Sequence, residues 1–182
     1  SLDELAKTID FDNLHTTGSI RYDLDKLGWM NHQWIMRIDN DRLIALAKPF
    51  LIASIPAAAG LSDNDILRLL TVIRSDIKTL SDIGPLLNFY FKKPDTTRDA
   101  IVERIGEGKA AGVYALVTEH APLLHKDNKA WLEALKNGSK EYGVSQGELW
   151  SSVRYLLTGS FQGPKIQDLL DVLGEAVMHR LP

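Results

Sequence analysis

Helical periodicity is the feature that most constrains the fold of this chain. Apolar residues recur every three or four positions, and residues that start or stop helices separate the periodic stretches. Ser62 can cap the first turn of one such helix, which is predicted to run to about Asp76. Its buried face would consist of Ile66, Leu69, Leu70 and Ile73. Because no stretch alternates apolar and polar residues as a half-buried strand does, the sequence predicts an all-α fold.

The composition is that of a folded globular protein without a general affinity for polyanions. Hydrophobic residues make up 45% of the 182 positions and charged residues 25%, which is ordinary globular usage. The net charge of −3 means that any contact with nucleic acid must be local. No stretch reaches the roughly 20 apolar residues of a membrane helix, and the acidic amino terminus lacks the features of a signal peptide. We expect a cytoplasmic, monomeric protein that binds neither membranes nor DNA.

The sequence gives no support for metal or redox chemistry. The chain has no cysteine, which excludes disulfides and thiolate ligands. None of its five histidines forms a pair at metal-ligand spacing, and His120 and His125 are too far apart to share one helix face. We therefore expect surface histidines and no metal site.

The periodic pattern is interrupted at Pro94, inside the polar stretch from Lys93 to Thr97. Proline disfavours helix at the preceding residue, so this stretch is the best candidate for a domain boundary. Helices are predicted after it at Arg98–Ile105, Lys109–Leu124 and Lys129–Lys136. Asp127 or Asn128 would cap the third of these, and Gly138 would end it in the left-handed conformation. The tryptophans are expected to be buried in the helical cores: Trp29, Trp34, Trp131 and Trp150.

A helix, a tight loop and another helix are predicted between Ser145 and Leu173. Ser145 and Glu148 fit a reciprocal capping box at the start of the first helix, and Gly159 would end it. Pro164 suits the first position of the next helix, where its missing N–H costs nothing. The buried stripe of that helix would consist of Ile166, Leu169, Leu170 and Leu173.

The residues around this loop could bind RNA. The start of the second helix favours an anion or a base carbonyl, and Arg154 lies close enough to offer a planar, bidentate donor. Phe161 at the tip could stack on an unpaired base, and Lys165 adds a positive charge. The alternative is that the loop only stops one helix and starts the next, with Phe161 folded back as a hydrophobic plug.

Two motifs, in their order and spacing, resemble bacterial glutamyl-tRNA synthetases. The first is the stretch from Ser151 to Gly174, with Arg154, Leu157–Thr158–Gly159, Gly163–Pro164 and Leu173–Gly174. The second resembles the pattern that follows the catalytic domain of that family, with Tyr22, Asp23, Lys26, Leu27, Trp29 and Asn31. Between them, Lys78–Ile83 and the stretch from Ala130 to Trp150 are also similar, so the resemblance covers nearly the whole chain.

The resemblance implies a fold and a division of the chain. The family is a group of class I aminoacyl-tRNA synthetases whose carboxy-terminal helical domains bind the anticodon. For this chain, the resemblance implies two consecutive helical-bundle domains, at residues 39–95 and 96–182. A remnant of the stem-contact region would precede them at residues 1–38.

The resemblance also implies a partner and a site. Arg154, Gly163, Pro164 and Ile166 would line the pocket for the first two anticodon bases of tRNA-Glu. An arginine of the family that reads the third base aligns here with Asp76, an acid that cannot donate the same hydrogen bonds. Arg74 or Lys78 could take over that contact, or the protein could accept or prefer tRNA-Gln.

The family's ATP-site signatures are absent from this sequence. The full-length enzyme would activate glutamate with ATP and magnesium, whereas this chain would carry no catalytic residue and no cofactor. We therefore expect a piece of a longer enzyme that begins just after the catalytic domain and is inactive alone. The remaining alternative is a helical interaction module that does not bind RNA.

Overall fold

The fold is entirely helical, as predicted, in the part of the chain that the computed structural model describes, which is residue 7 and residues 23–182. The α-helices of residues 23–182 are α1 Leu24–Arg37, α2 Asn40–Ser54, α3 Asp63–Ile73, α4 Ile83–Phe91, α5 Arg98–Ile105, α6 Glu107–His120, α7 Asn128–Gly138, α8 Gln146–Thr158 and α9 Ile166–Leu173. Short 3₁₀ turns lie at Pro56–Gly60, Arg74–Asp76, Leu80–Asp82, Ala121–His125 and Gly174–Val177. None of the helices in residues 23–182 has the length and apolar character needed to cross a bilayer.

Two of the predicted helices end as 3₁₀ turns. Helix α3 begins after Ser62, whose hydroxyl accepts the Asp65 N–H as expected, but it ends at Ile73 and continues to Asp76 as a 3₁₀ turn. Helix α6 changes at Ala121, next to Pro122, which lacks the N–H that an α-helix would need. Both changes tighten the chain at a helix end.

The helices form two groups that pack against each other. Helices α2, α3 and α4 contact one another, and α5 to α9 form a chain of contacts in which α6 touches α5, α7 and α8. Helices α3 with α9 and α4 with α8 join the groups, and the buried side chains form one continuous cluster. The predicted boundary lies in residues 92–97, which are not helical. The division into domains, including the stem-contact remnant, stays a prediction.

Helix α1 packs less deeply than the other helices. Of its residues only Ile35 is buried. The expectation that the tryptophans are buried is wrong for Trp29 and Trp34, which are 62% and 66% exposed, because both lie on faces of α1 that no described residue covers. Trp131, by contrast, is completely buried. The resembling residue Tyr22 lies outside the described residues.

The predicted start and end of α8 are confirmed. The Glu148 N–H donates to the Ser145 hydroxyl at 3.3 Å, and the Ser145 N–H donates to the Glu148 carboxylate at 2.8 Å. The Lys109 ammonium lies 2.6 Å from the same carboxylate, and this hydrogen bond, helped by those from Ser145, lowers the pKa of Glu148 from 4.5 to about 2. Gly159 ends the helix at φ 78°, in the left-handed conformation.

Two other predicted helix signals are wrong in detail. Gly138 does not end α7 in a left-handed conformation, because it is still helical and its missing side chain makes room for Leu116 of α6. Pro164 is not the first residue of α9, which begins at Ile166 with Lys165 as its N-cap. Pro164 belongs to the loop instead, because its carbonyl is held by a side chain of α8. The predicted buried stripe of α9 is confirmed.

The close approach of α2 and α4 gives a testable prediction. Gly84 and Gly147 are each the second residue of their helix, but a Cβ at Gly84 would clash with Cβ and Oγ of Ser54, whereas one at Gly147 would meet nothing within 4 Å. Because overpacking costs about 1–3 kcal/mol and alanine gains up to about 1 kcal/mol over glycine in a helix, Gly84→Ala should lower the free energy of unfolding. Gly147→Ala, the matched control, should leave it unchanged or raise it. Urea unfolding measures both, and equal effects would contradict the close contact.

Candidate nucleic-acid interface

Arg154 fastens the loop between α8 and α9. Its Nε donates to the Pro164 carbonyl at 2.7 Å and its Nη1 donates to the Phe161 carbonyl at 3.1 Å. Burial lowers the pKa of Arg154 from its ordinary value, and the negative charge of Asp76 acts in the opposite direction. A guanidinium has five N–H donors, of which two are used here, so three remain. Arg154 therefore shapes the loop and still has donors to offer.

A depression of about 280 Å³ lies beside this guanidinium, and we name it the Arg154 depression. Its lining residues come from α7, α8 and the start of α9: Leu132, Trp150, Arg154, Lys165, Ile166 and Gln167. The ionisable residues among them are the cations Arg154 and Lys165, and no carboxylate lines the depression. Half-buried Trp150 and the edge of Ile166 supply apolar surface. Such a mixture suits a flat ring that carries hydrogen-bond acceptors.

Phe161 folds back onto the protein, as in the alternative in which it acts as a plug. Its ring stacks on Tyr155 at 4.4 Å between centroids, with 7° between the planes. The Arg104 guanidinium lies 4.6 Å from its centroid, which requires the opposite face. The Tyr155 hydroxyl in turn accepts the Thr97 N–H at 3.2 Å. With both faces covered, Phe161 cannot stack on a base in this arrangement, and its part is to hold the loop against α5.

Gly163 and Pro164 open onto a second depression, on the side of the loop that faces α4. We name this the junction depression; its volume is about 150 Å³. Gly163 has φ 124°, a conformation that favours glycine. A Cβ at Gly163 would lie 3.9 Å from Cδ of Arg154, so the loop passes beside the Arg154 side chain here. Of the four residues expected to form one anticodon pocket, Arg154 and Ile166 therefore line one depression, and Gly163 and Pro164 line its neighbour.

Arg74 is engaged in a structural role. Its guanidinium donates to the carbonyls of Ile35 and Ile38 at the end of α1 and to the Asn40 side chain. These bonds use four of its five N–H groups. Arg74 therefore joins the end of α1 to the end of α3. It is poorly placed to make the contact of the family's arginine that aligns with Asp76.

Asp76 and Lys78 lie on a backbone that α1 holds in place. Asn31 donates its side-chain amide to the Lys78 carbonyl, and a ring nitrogen of His32 lies 2.8 Å from the Ile77 carbonyl. One carboxylate oxygen of Asp76 is buried and has no hydrogen-bond partner among the described residues. The residues around it form a wide depression of about 520 Å³, lined by Leu24, Asp25, Gly28, Trp29, His32, Ser75, Asp76 and Lys78. The Lys78 side chain is exposed at its rim.

Asp76 and Arg154 do not form an ion pair. The charge of Asp76 acts on Arg154, although no oxygen of Asp76 lies within the 4 Å of an ion pair. The depression around Asp76 and the Arg154 depression share no lining residue. The Arg74 and Phe161 side chains contact other groups of the protein, and their part in anticodon binding stays a prediction.

Sequence reasoning missed several residues that line these depressions. Trp150 lies one helical turn before Arg154, a spacing that already puts the two side chains on one face. Asn88 and Lys92 of the junction depression come from the region of α4, far from the loop in sequence, so only the packing of the helices reveals them. In residues 23–182 the His, Asp and Glu side chains form no group that could hold a metal ion.

The fold and these depressions define an all-helical binding module. Residues 42–181 match the family model described as "Anticodon binding domain", and the chain belongs to that family. The resemblance read from the motifs is confirmed, since the glutamate–tRNA ligase of Finegoldia magna is 23% identical over 176 residues and that of Geobacillus stearothermophilus 28% over 189 residues. These matches cover 96% and 100% of this chain but 36% and 38% of the relatives. The chain thus spans little more than a third of their length.

Solved structures show the same fold. A crystal structure of a glutamate tRNA ligase from Elizabethkingia meningosepticum in complex with its amino acid superposes with a TM-score of 0.74 at 20% identity. The match covers 99% of this chain and 35% of that one. The glutamate–tRNA synthetase of Elizabethkingia anophelis gives a TM-score of 0.73, also at 20% identity.

Proposed function

We propose that this chain is the anticodon-binding and tRNA-positioning part of a glutamate–tRNA ligase. The longer protein would activate glutamate with ATP and magnesium and attach it to tRNA-Glu in the cytoplasm. ATP, magnesium and glutamate would bind outside this chain, which we propose is inactive alone. Family membership and the relatives that match over the whole chain support this function.

The observation that carries the proposal is the position of the Arg154 guanidinium. It is fixed by two bonds to the loop and keeps three donors beside an apolar wall of Trp150 and Ile166. Sequence-specific RNA recognition targets bases splayed out of single-stranded loops, which stack on aromatic rings and pair through their edges. An anticodon base could place its ring against that wall and its edge on Arg154. Lys165, exposed at the rim, would bind a phosphate or a base.

A direct binding measurement tests this function. Labelled tRNA-Glu and tRNA-Gln transcripts, each with an anticodon-substituted control, are titrated with the 182-residue chain at 0.1 M salt. We expect tRNA-Glu to bind more tightly than its substituted control, because the contacts are to anticodon bases. If neither transcript binds better than its control, the chain is a helical interaction module instead and the proposal is wrong.

Asp76 favours a second candidate, a ligase that accepts or prefers tRNA-Gln. Asp76 lines the wide depression, and its carboxylate can accept a hydrogen bond from a base, where an arginine would donate one. The two candidates differ in the titration, because a non-discriminating protein binds tRNA-Gln as tightly as tRNA-Glu. Tighter binding of tRNA-Gln would identify a protein directed to that tRNA.

If Asp76 reads a base, Asp76→Asn should change the ratio of the affinities for tRNA-Glu and tRNA-Gln. We expect a change of about tenfold, equivalent to one charge-assisted hydrogen bond of about 1.5 kcal/mol. Ser75→Ala is the matched control, because Ser75 lines the same depression without a charge. An unchanged ratio in Asp76→Asn would mean that Asp76 does not take part in discrimination.

A further inference from the structure

Arg180 is the only charged residue that is buried in the part of the chain that the structure describes. It is 7% exposed, and burial lowers the pKa of its guanidinium from its ordinary value. It forms no ion pair with any described residue. A buried charge without a partner is costly, so its burial needs a compensating contact.

The compensating contact is with the end of α8. Nη1 of Arg180 donates to the Leu157 carbonyl at 2.9 Å, a buried hydrogen bond between residues 23 positions apart. The last four carbonyls of an α-helix have no partner within the helix, and they form the negative end of its dipole. Leu157 belongs to this set, and so does Tyr155, whose carbonyl accepts the Gly159 N–H at 2.8 Å. Arg180 therefore supplies a donor and a positive charge where α8 needs both.

The end of α8 in turn fixes the start of the loop. Oγ1 of Thr158 donates to the Arg154 carbonyl at 2.9 Å, and it accepts the Ser160 N–H at 3.2 Å. Leu157 directly precedes Thr158, and its side chain is completely buried. Arg154 thus holds the loop itself, whereas Arg180 holds the helix end from which the loop departs.

The backbone of Arg180 is anchored on the other side of the loop, behind α9. Its N–H donates to the Val177 carbonyl at 3.0 Å, and the Leu181 N–H donates to the same carbonyl at 3.3 Å. Val177 and Leu181 are buried, and the 3₁₀ turn Gly174–Val177 packs against α9. Residues 174–181 therefore connect α9 to the end of α8, which are the two helices that flank the loop.

We infer that Arg180 is a positioning residue for anticodon reading, because it sets the spacing of the two helices that flank the loop. Arg154 of α8 and Ile166 of α9 line the Arg154 depression, so the spacing of these helices decides how a base fits between them. Arg180 acts from inside the protein and does not touch RNA in this role. The inference rests on the proposed function, since it concerns the geometry of that same depression.

Two variants of Arg180 test this role by titration with tRNA-Glu and its anticodon-substituted control. Arg180→Met keeps an apolar stem but loses the donor and the charge, whereas Arg180→Lys keeps the charge and a donor. Arg180→Met should weaken cognate binding about three- to tenfold, the equivalent of one hydrogen bond, and should affect the control RNA much less. Arg180→Lys should recover most of this loss. The slope of log affinity against log salt should not change, whereas a lost phosphate contact would lower it by about 0.7.

Coupling to Arg154 separates positioning from a general loss of stability. If Arg180 acts through the Arg154 depression, the double variant should bind the cognate RNA no more weakly than Arg154→Ala alone. Leu43→Ala is the control for stability, because Leu43 is completely buried in α2, which packs on α3 and α4. It should lower stability and leave the ratio of the affinities for the cognate and control RNAs unchanged.

Amide hydrogen exchange reports on the loop without any RNA. The N–H groups of Gly159 and Gly106 each donate at 2.8 Å to the helix that they end, to Tyr155 and Val102, and both glycines have positive φ. In Arg180→Met the Gly159 amide should exchange faster while the Gly106 amide keeps its rate. A global loss of stability would accelerate both.

Several results would overturn this role of Arg180. They are an unchanged affinity ratio in Arg180→Met, an effect that adds in full to that of Arg154→Ala, a lower salt slope, or equal acceleration of Gly159 and Gly106. In each case the proposed function stands as long as the unaltered chain prefers the cognate RNA. If the unaltered chain does not, the proposed function is wrong and the role in anticodon reading with it, whereas the exchange rates still show whether Arg180 holds the loop.

Discussion

Arg154→Ala should weaken binding of the cognate tRNA by about 1–3 kcal/mol, which is roughly 5- to 150-fold. The change removes the donors beside Trp150 and also the two bonds that hold the loop. The difference in affinity between the cognate RNA and its anticodon-substituted control should shrink as well, because a base contact carries specificity. Titration of both RNAs at one salt concentration measures the two effects together.

Three further variants separate the functions of Arg154. Arg154→Lys keeps the charge but not the planar fork, so it should restore little of the specificity. Ser160→Ala loosens the loop without touching the guanidinium, since the Ser160 hydroxyl bonds within the loop. If it weakens binding as much as Arg154→Ala, the arginine acts only by shaping the loop. Arg98→Ala, which breaks an exposed ion pair with Glu107, is the control and should have little effect.

Trp131→Ala should cost about 3–5 kcal/mol in the free energy of unfolding, a large share of the 5–15 kcal/mol of an ordinary domain. Trp131 is completely buried, so its removal leaves a cavity under α7. Its indole N–H has no partner among the described residues, so Trp131→Phe relieves a buried donor and should cost less, below about 2 kcal/mol. Urea unfolding reports both values, provided that the slope with denaturant stays the same.

Trp34→Ala is the control for the tryptophan prediction. Trp34 is 66% exposed on α1, and exposed substitutions usually change stability by less than about 0.5 kcal/mol. A loss in Trp34→Ala as large as that in Trp131→Ala would contradict the distinction between the two sites.

The helical fold and most helix ends could be predicted from sequence because their causes are local. Ser62 and the Ser145–Glu148 box satisfy N–H groups within three residues of themselves, and Gly159 needs only its own backbone freedom. The predicted end of α7 at Gly138 was wrong because this glycine is needed for a contact with another helix, where it makes room for Leu116. The predicted start of α9 at Pro164 was wrong because the side chain of Arg154, ten residues away, holds the Pro164 carbonyl in the loop.

The candidate site shows the same division between local and distant causes. Arg154 and Ile166 could be placed near the loop from the motif, whereas the partners of Arg74 lie 34 to 39 residues away in sequence. The stacking of Phe161 between Tyr155 and Arg104 likewise depends on how α5 packs against the loop. A pattern of residue types cannot report such contacts, because it carries no information on which helices meet.

The double attachment of Arg154 also decides how a new RNA preference could be engineered into this protein. A library that varies Arg154 would mostly sample chains with a loosened loop, whatever base they faced. Trp150, Lys165 and Gln167 line the same depression, and their side chains make no hydrogen bond to the loop backbone. Randomising these three positions with the arginine kept would explore recognition while the scaffold stays intact.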